Sequence, residues 1–317
     1  MNKKKRIFLA GHNGMVGSAI FKKLKISGYK NIITRSRKKL NLLNQNETFK
    51  FLKRNKPYFV ILAAARVGGI EDNLKNKDKF IYENLQIQNN IIHGSFLAGV
   101  KNLFLLGSSC IYPKHCKQPM KEEYLLTGPL EETNDAYSIA KIAGLKMCEY
   151  YSKSHKLNFK TLMPPNLYGP NDNFNLKTSH FYPALLKKIY LSKFNNKKKL
   201  IIWGTGKAKR ELMFVDDLAD AVLFFMKKKF KQPFINIGTG EERSILWYAK
   251  YIMKKMNIKL KVQFDKTKPD GMPRKCLDVS TAKRYGWKPV NNLDMGFEST
   301  LNYFTKKIKT KNLNRVK

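Results

Sequence analysis

Acidic side chains are scarce in this chain. Its 317 residues hold 23 Asp and Glu against 62 Lys and Arg, a formal net charge of +39. Cysteine is scarcer still: the four, Cys110, Cys116, Cys148 and Cys276, match no zinc spacing and are too few for a disulfide framework in a chain this long. A reducing compartment and no resident metal are therefore expected. No apolar run approaches the about 20 residues needed to cross a bilayer, so no membrane partner is expected. The basic start, residues 1–6, is followed by Ile7-Phe8-Leu9-Ala10, but this stretch stops at Gly11, too soon for the apolar core of a secretory signal. No targeting segment is read, and a cytoplasmic protein is expected. No internal repeat is found either, which excludes a solenoid.

The surplus of positive charge raises the question of nucleic acid. The lysines lie in short scattered runs, at 3–5, 197–199 and 227–229, not on one recognition helix. Lys, Asn, Ile, Phe and Tyr are all abundant, and AT-rich codons encode all five. Compositional drift accounts for this pattern, and no nucleic-acid partner is expected. The charge would still draw an anionic nucleotide substrate to the surface. A non-catalytic basic nucleic-acid-binding protein is kept as the reading from another class.

A hydrophobic content of 43% suits a globular chain, and the length allows a large domain with a smaller lobe. Residues 6–10 read as a short apolar strand, and 16–27 carry helical periodicity up to Gly28. A second strand is expected at 31–35 and a helix at 47–54. The continuous apolar run 58–65 has the pattern of a strand buried on both faces in a parallel sheet. A long amphipathic helix at 80–97, a strand at 102–107, a helix at 136–154 and a strand at 159–163 follow. This alternation predicts an α/β fold with a Rossmann-type doubly wound parallel sheet. Pro164, Pro165, Gly169 and Pro170 open a loop-rich stretch. Short strands at 200–203, 234–237 and 261–264 then mix with helices at 215–228, 245–256 and 294–304. The expected organisation is a nucleotide-binding domain over 1–165 and a smaller α/β substrate lobe, interwoven with it, over 166–305. A basic tail over 306–317 is expected to fray.

Four stretches carry chemistry. Gly11-His12-Asn13-Gly14-Met15-Val16-Gly17 is G-x-x-G-x-x-G between a strand and a helix. Its glycines permit a tight turn and let backbone N–H groups approach a pyrophosphate at the helix N-terminus. About twenty residues on, an acid would bind a ribose 2′-hydroxyl, whereas arginine suits a 2′-phosphate. The chain has Arg35-Ser36-Arg37-Lys38-Lys39 there, so NADP(H) is favoured. In Tyr137-Ser138-Ile139-Ala140-Lys141 a tyrosine and a lysine share one helix face. A free phenol titrates near about 10, and a neighbouring ammonium favours its phenolate, so such a tyrosine can exchange a proton with a carbonyl or alcohol. The lysine can also hold the cofactor's ribose. Finally, Leu106-Gly107-Ser108-Ser109-Cys110 follows a buried strand, where ligands bind in open α/β sheets. Ser108 can donate to the same oxygen as Tyr137, or merely cap a turn. Cys110 is either a base or a small buried hydrophobe. His180 is either an acid or structural.

Together these stretches resemble the GDP-L-fucose synthases, a branch of the extended short-chain dehydrogenases. The resemblance rests on 10–20, on Ala63-Ala64-Ala65-Arg66-Val67-Gly68-Gly69-Ile70, and on 107–113. It also rests on Tyr137–Lys141 with Ile142-Ala143-Gly144, on Asn166-Leu167-Tyr168-Gly169-Pro170, and on the Lys268-Pro269-Asp270-Gly271 and Pro273-Arg274-Lys275 stretches. It runs from about residue 5 to about residue 304 and implies NADPH-dependent conversion of GDP-4-keto-6-deoxy-D-mannose to GDP-L-fucose. It further implies Cys110 as base, His180 as acid and Ser108, Tyr137 and Lys141 as the reductase set. Leu106, Gly107, Ser108, Ser109, Pro164, Pro165, Asn166, Leu167 and His180 would join the Gly-rich turn around the cofactor. Asn166, Lys188, Trp203, Arg210 and Asp270 would surround the GDP-sugar, with Arg210 clamping the diphosphate. The resemblance also implies a homodimer formed through the 80–97 and 136–154 helices. Asn13 stands where such enzymes often carry a basic residue near the 2′-phosphate, which leaves Arg35 and Arg37 to that task. Asn44 replaces an acid near the adenine, and Pro165 a threonine. The alternative within the same chemistry is another NDP-sugar 4-epimerase or 4-keto-reductase, which needs neither Cys110 nor His180.

Overall fold

Residues alternate strictly in where they point along the first strands, and that alternation builds two cores. The computed structural model describes residues 2–195 and 197–313. Strand β1, Ile7–Ala10, is buried throughout. Ile7 and Leu9 join Phe59, Ile61 and Phe104 in one core, while Phe8 and Ala10 join Val60, Leu62, Leu103 and Leu105 in the other. A strand buried on both faces in this way must lie inside a sheet covered by helices on both sides.

The sheet is wholly parallel. Helix α1, Met15–Ile26, leads from β1 to β2, Ile32–Ile33, which lies on one side of β1. Helix α2, Gln45–Asn55, then crosses to β3, Phe59–Leu62, on the other side. The chain therefore reverses direction across β1, the switch point at which open α/β sheets bind ligands. Asn44 caps α2: its side chain accepts from the Glu47 N–H at 3.1 Å. Helix α3, Ile70–Lys75, precedes α4, Lys77–Leu97, after which come β4, Asn102–Leu106, helix α5, Asp135–His155, and β5, Asn158–Met163. The ladder β3-β4-β5 is closed by a strand at Phe234–Asn236, giving six strands. The doubly wound parallel sheet expected from the alternation is thus present. Strand β3 is shorter than the 58–65 apolar run, because the ladder ends at Leu62 and beyond it Ala63 and Ala65 line a cavity while Ala64 packs on the core.

After β6, Asn166–Tyr168, come helix α6, Phe181–Ser192, β7, Lys199–Trp203, β8, Lys209–Phe214, and helix α7, Val215–Phe225. Strand β9, the Phe234–Asn236 strand, then returns to the main sheet. It is followed by β10, Glu242–Ser244, helix α8, Ile245–Lys255, β11, Lys261–Asp265, and β12, Arg274–Lys275. Helices α9, Ser280–Arg284, and α10, Leu293–Leu313, complete the chain. Strands β10, β6 and β12 all pair with β8, while β7 pairs with β11. Helix α7 packs on α1, so the second half supplies both a strand and a helix to the first. Helix α10 runs to Leu313, into the stretch expected to be a tail, and is anchored upstream by buried Phe297 and Phe304. Residues 314–317 of that tail lie outside the described residues.

Glu211, fully buried on β8, ties three segments together. Its carboxylate accepts from the N–H groups of Thr239, Gly240 and Leu277, the last at 2.7 Å. Alanine at 211 leaves one buried donor, Leu277, and two part-buried ones without their acceptor, the buried one worth on the order of 1–3 kcal/mol. Glu211→Ala is expected to cost about 3 kcal/mol or more, read as a lower urea midpoint with an unchanged denaturant slope.

Candidate active site

The turn between β1 and α1 has no room for a side chain at Gly11 or Gly17. A Cβ on Gly17 would lie 2.0 Å from the Gly11 carbonyl oxygen, and one on Gly11, whose φ is +92°, would lie 2.6 Å from the Ala64 nitrogen. Gly14 begins α1 with no side-chain cap, so the first N–H groups of the helix are left for a ligand. Gly14, Met15, Val16 and Gly17 line one end of a cavity of about 520 Å³. His12 sits in the same turn with its Nδ1 buried and unpartnered, and Asn13 is exposed. This close-packed turn fits a dinucleotide pyrophosphate. Arg35 and Arg37 are exposed just beyond β2 and do not line the cavity. The Arg35 guanidinium lies 5.5 Å from the Phe51 ring centroid, and Arg37 approaches Glu83 at 4.0 Å.

The middle of the cavity is built where β4 and β5 end. Leu106, Gly107, Ser108 and Cys110 line it, as do Pro164, Pro165, Asn166 and Leu167. Ser108 starts a short 3-10 turn, and its Oγ accepts from the Cys110 N–H at 3.5 Å. Ser109 is not among the residues that line the cavity; its N–H donates to the Pro164 carbonyl at 3.0 Å and pins the two strand ends together. Asn166 Oδ1 is buried without a partner, an acceptor left for a ligand.

Helix α5 brings Tyr137 and Lys141 to the same place. Ser108 offers Tyr137 a side-chain hydrogen bond. The Lys141 Nζ donates to the Leu106 carbonyl at 2.9 Å and sits 5.6 Å from the Tyr137 ring centroid. The ammonium was expected to favour the phenolate, and here burial wins instead. It pushes the Tyr137 phenol well above its ordinary range, with the charge of Cys110 adding to the effect. It also brings the Lys141 ammonium down to about 8. In the free site Tyr137 is therefore a protonated hydroxyl, ready to donate. His180 precedes α6 and faces the same space. Burial, and then the Lys275 ammonium, lower its imidazole to about 4, so it is neutral at pH 7.

The far end belongs to the second half of the chain. Lys188 donates to the Ile201 carbonyl at 3.1 Å and lies 5.9 Å from the Trp203 ring centroid. Lys268 lies 5.3 Å from the same ring. Arg210 is held by carbonyls rather than by an ion pair: it donates to Met272 at 2.5 Å, to Lys209 at 2.8 Å and to Asp270 at 3.0 Å. Burial lowers its guanidinium to about 10. Asp270 spends both carboxylate oxygens on Thr205, accepting from its N–H and its hydroxyl, each at 2.8 Å. It thereby shapes the Gly204–Thr205 turn beside Trp203.

Three charged residues that line the cavity were not named as site residues from the sequence: Glu131, Asp172 and Lys275. Lys275 lies in a stretch that carries the resemblance, but each of the three sits in a loop or short strand whose direction only the tertiary structure sets. Among the described residues, no group of three or more His, Cys, Asp or Glu is placed to hold a metal ion, and no helix is long and apolar enough to cross a membrane.

Comparison with known proteins places these features in context. The model of the NAD dependent epimerase/dehydratase family matches residues 7–238. The chain is 45% identical over 304 residues to the GDP-L-fucose synthase of Sinorhizobium fredii, covering 96% of each sequence. Its fold is similar to that of a GDP-6-OMe-4-keto-L-xylo-heptose reductase from C. jejuni, with a TM-score of 0.91 and 35% identity, covering 97% of this chain and 99% of that one. It is also similar to a GDP-L-fucose synthetase from Naegleria fowleri bound to NADP, with a TM-score of 0.88 and 25% identity over 98% and 97% of the two chains.

Asp172 offers a test of the site's electrostatics. It is buried, its Oδ2 has no partner, and burial raises its carboxyl from 3.8 to about 7. Between these values the folded chain holds a proton that the unfolded chain has released, so stability falls as pH rises through that window. Asp172→Asn removes the penalty. In the ligand-free protein it is expected to raise Tm by about 2–4 °C at pH 8, with the difference closing near pH 4. Thermal melts at the two pH values check this.

Proposed function

We propose that this chain, which belongs to the NAD dependent epimerase/dehydratase family, converts GDP-4-keto-6-deoxy-D-mannose to GDP-L-fucose by epimerising C3 and C5 and then reducing the C4 ketone. The observation that carries this reading is the convergence of Cys110 and His180 with Ser108, Tyr137 and Lys141 on one cavity. NADPH, held at the Gly-rich turn, supplies the hydride. The protons on C3 and C5 are acidified by the C4 carbonyl between them. Cys110, as thiolate, takes one of them, and the enolate oxygen receives hydrogen bonds from Ser108 and Tyr137. His180 returns a proton to the opposite face. The negative charge of a bound diphosphate and of the enolate raises the imidazole toward the pH at which it can do so. Tyr137 finally gives its proton to the C4 oxygen, and Lys141 holds the ribose and steadies the phenolate that forms.

Lys188, Trp203, Arg210 and Asp270, with Asn166, form the GDP-sugar end. Residues 1–165 act as the nucleotide-binding part and 166–305 as the substrate part. The +39 charge serves no nucleic-acid role in this reading, since its lysines are dispersed. The protein is cytoplasmic, in keeping with four free cysteines. It is a homodimer through α4 and α5, a proposal supported by apolar side chains on their outward faces: Tyr82 is 64% exposed, Ile139 46% and Tyr150 58%. Ile139 and Tyr150 are three helical turns apart on one side of α5. Ile139→Glu with Tyr150→Glu is expected to halve the mass seen by light scattering.

The similarity to the heptose reductase keeps one rival in view, a C4 reductase that does not epimerise. Oxidation of NADPH with GDP-4-keto-6-deoxy-D-mannose, with the product identified by NMR, decides between them. GDP-L-fucose is expected; an unepimerised sugar would leave Cys110 and His180 without their roles. Cys110→Ser is expected to slow deuterium exchange at C3 and C5 by about 10²-fold or more while NADPH binding stays within about twofold. Tyr137→Phe should lower the reduction rate by a similar factor.

A further inference from the structure

Among the described residues four asparagines are buried: Asn73, Asn84, Asn90 and Asn236. Three of them engage both ends of the amide. Asn84 accepts from the Arg66 N–H at 2.9 Å and donates to the Phe80 carbonyl at 2.8 Å. Asn90 accepts from the Gln86 amide and donates to the Leu42 carbonyl. Asn236 accepts from the Tyr112 hydroxyl and donates to the Met120 carbonyl. Asn73 differs. Its Nδ2 donates to the carbonyls of Gly68, at 2.9 Å, and Gly69, at 3.0 Å, while its Oδ1 is buried with no partner. Both carbonyls can only accept, so the amide cannot be turned over to satisfy the oxygen. Its two hydrogens are spent, and what remains is an acceptor. Asn73 lines the cavity. A buried acceptor kept at a ligand cavity calls for a donor that the protein itself does not hold.

Ser179 stands close by. The Gly69 N–H donates to the Thr178 carbonyl at 2.9 Å, and a Cβ on Gly69 would run into the Ser179 carbonyl oxygen. The turn before α3 and the segment before α6 therefore touch backbone to backbone, which only glycine at 69 allows. Ser179 also lines the cavity, and its Oγ is buried without a partner. His180 follows it directly and starts α6. Two unused polar groups are thus carried by residues that both abut Gly69, next to the residue read as the acid.

We propose that Asn73 and Ser179 bind the C2 hydroxyl of the sugar: the Asn73 oxygen accepts a hydrogen bond from it, and the Ser179 hydroxyl donates one to it. The proposal rests on the substrate reading above. That substrate carries ring hydroxyls on C2 and C3. The C3 hydroxyl changes sides when C3 is epimerised, and the C5 methyl group does so when C5 is. C2 keeps its configuration throughout, so a rigid acceptor can hold its hydroxyl from the first proton transfer to the last. Asn73 and Ser179 take no proton from carbon; they hold the ring beside His180 while C3 and C5 invert. A sugar without a donor at C2 leaves both groups unpaired and is selected against.

Isothermal titration calorimetry of the protein with NADP⁺ bound tests this with GDP, GDP-L-fucose and GDP-2-deoxy-2-fluoro-L-fucose, in which fluorine replaces the donor. Asn73→Ala is expected to weaken GDP-L-fucose binding about tenfold and Ser179→Ala about threefold, with GDP in each case within about twofold of wild type. The wild-type protein is expected to bind the fluoro sugar about tenfold less tightly than GDP-L-fucose, and the variants to lose most of that difference. Ser179→Ala removes an oxygen with no hydrogen bond among the described residues, so it gives an answer even where Asn73→Ala does not fold. GDP binding weakened as much as GDP-L-fucose binding would make Asn73 a brace for the Gly68–Gly69 turn and overturn the proposal. Equal binding of the two sugar nucleotides by the wild-type protein overturns it as well. The full pattern in an enzyme that makes no GDP-L-fucose would keep the hydroxyl site and remove the substrate reading alone.

Discussion

The hydrogen bonds that Glu211 accepts from Thr239, Gly240 and Leu277 join segments made far apart along the chain. Gly240 and its neighbour follow β9, which is part of the main sheet. Leu277 follows β12, which carries Lys275. Glu211 itself adjoins Arg210. One carboxylate thus sets the distance between the wall of the cavity that comes from the parallel sheet and the wall that comes from the second half. Burying it is costly unless its oxygens are satisfied, and three N–H groups satisfy them. Because the donors are backbone groups, the constraint acts on the path of the chain and survives changes of nearby side chains.

The cavity that results carries an excess of positive charge before any ligand arrives. Lys141, Arg210 and His180 are all drawn toward their neutral forms by burial. An anionic ligand reverses that strain, because each of its negative charges favours the protonated forms. The site is thus arranged so that binding a dinucleotide and a sugar diphosphate readies the groups that move protons. Tyr137 is poised in the opposite sense: burial keeps its proton on, which suits a donor and not a base.

Much of this was legible in the sequence, and the parts that were not share a cause. The β1–turn–α1 unit, five of the six parallel strands and the Tyr137–Lys141 pair follow from local periodicity and spacing; the sixth, at 234–237, reads as a strand of the second lobe, and only its pairing with β5 places it in the main sheet. The run at 58–65 named a buried strand correctly but not its end, since nothing local distinguishes the residues that pair from Ala63–Ala65, which leave the ladder. Helix α10 runs past its expected end at 304, with Phe297 and Phe304 anchoring it on the body of the protein, a contact invisible to composition. Lys275 was one of 62 cations. Only the pairing of β12 with β8 determines that it turns inward while its neighbour Arg274 remains exposed and pairs with Glu242. The state of Tyr137 escaped for a related reason: sequence shows that a lysine is near, but not how thoroughly both groups are buried.

The return of β9 to the main sheet, with α7 packed on α1, has a consequence for how such proteins can change. A chain cut near residue 165 would leave β5 as a bare edge strand and one flank of α1 without its cover. The second half of the chain is therefore not a cassette to be exchanged between relatives. New specificity has to arise by substitution within loops such as 268–275, or by replacing several separated segments at once, because the second half carries some of the first half's own structural timber.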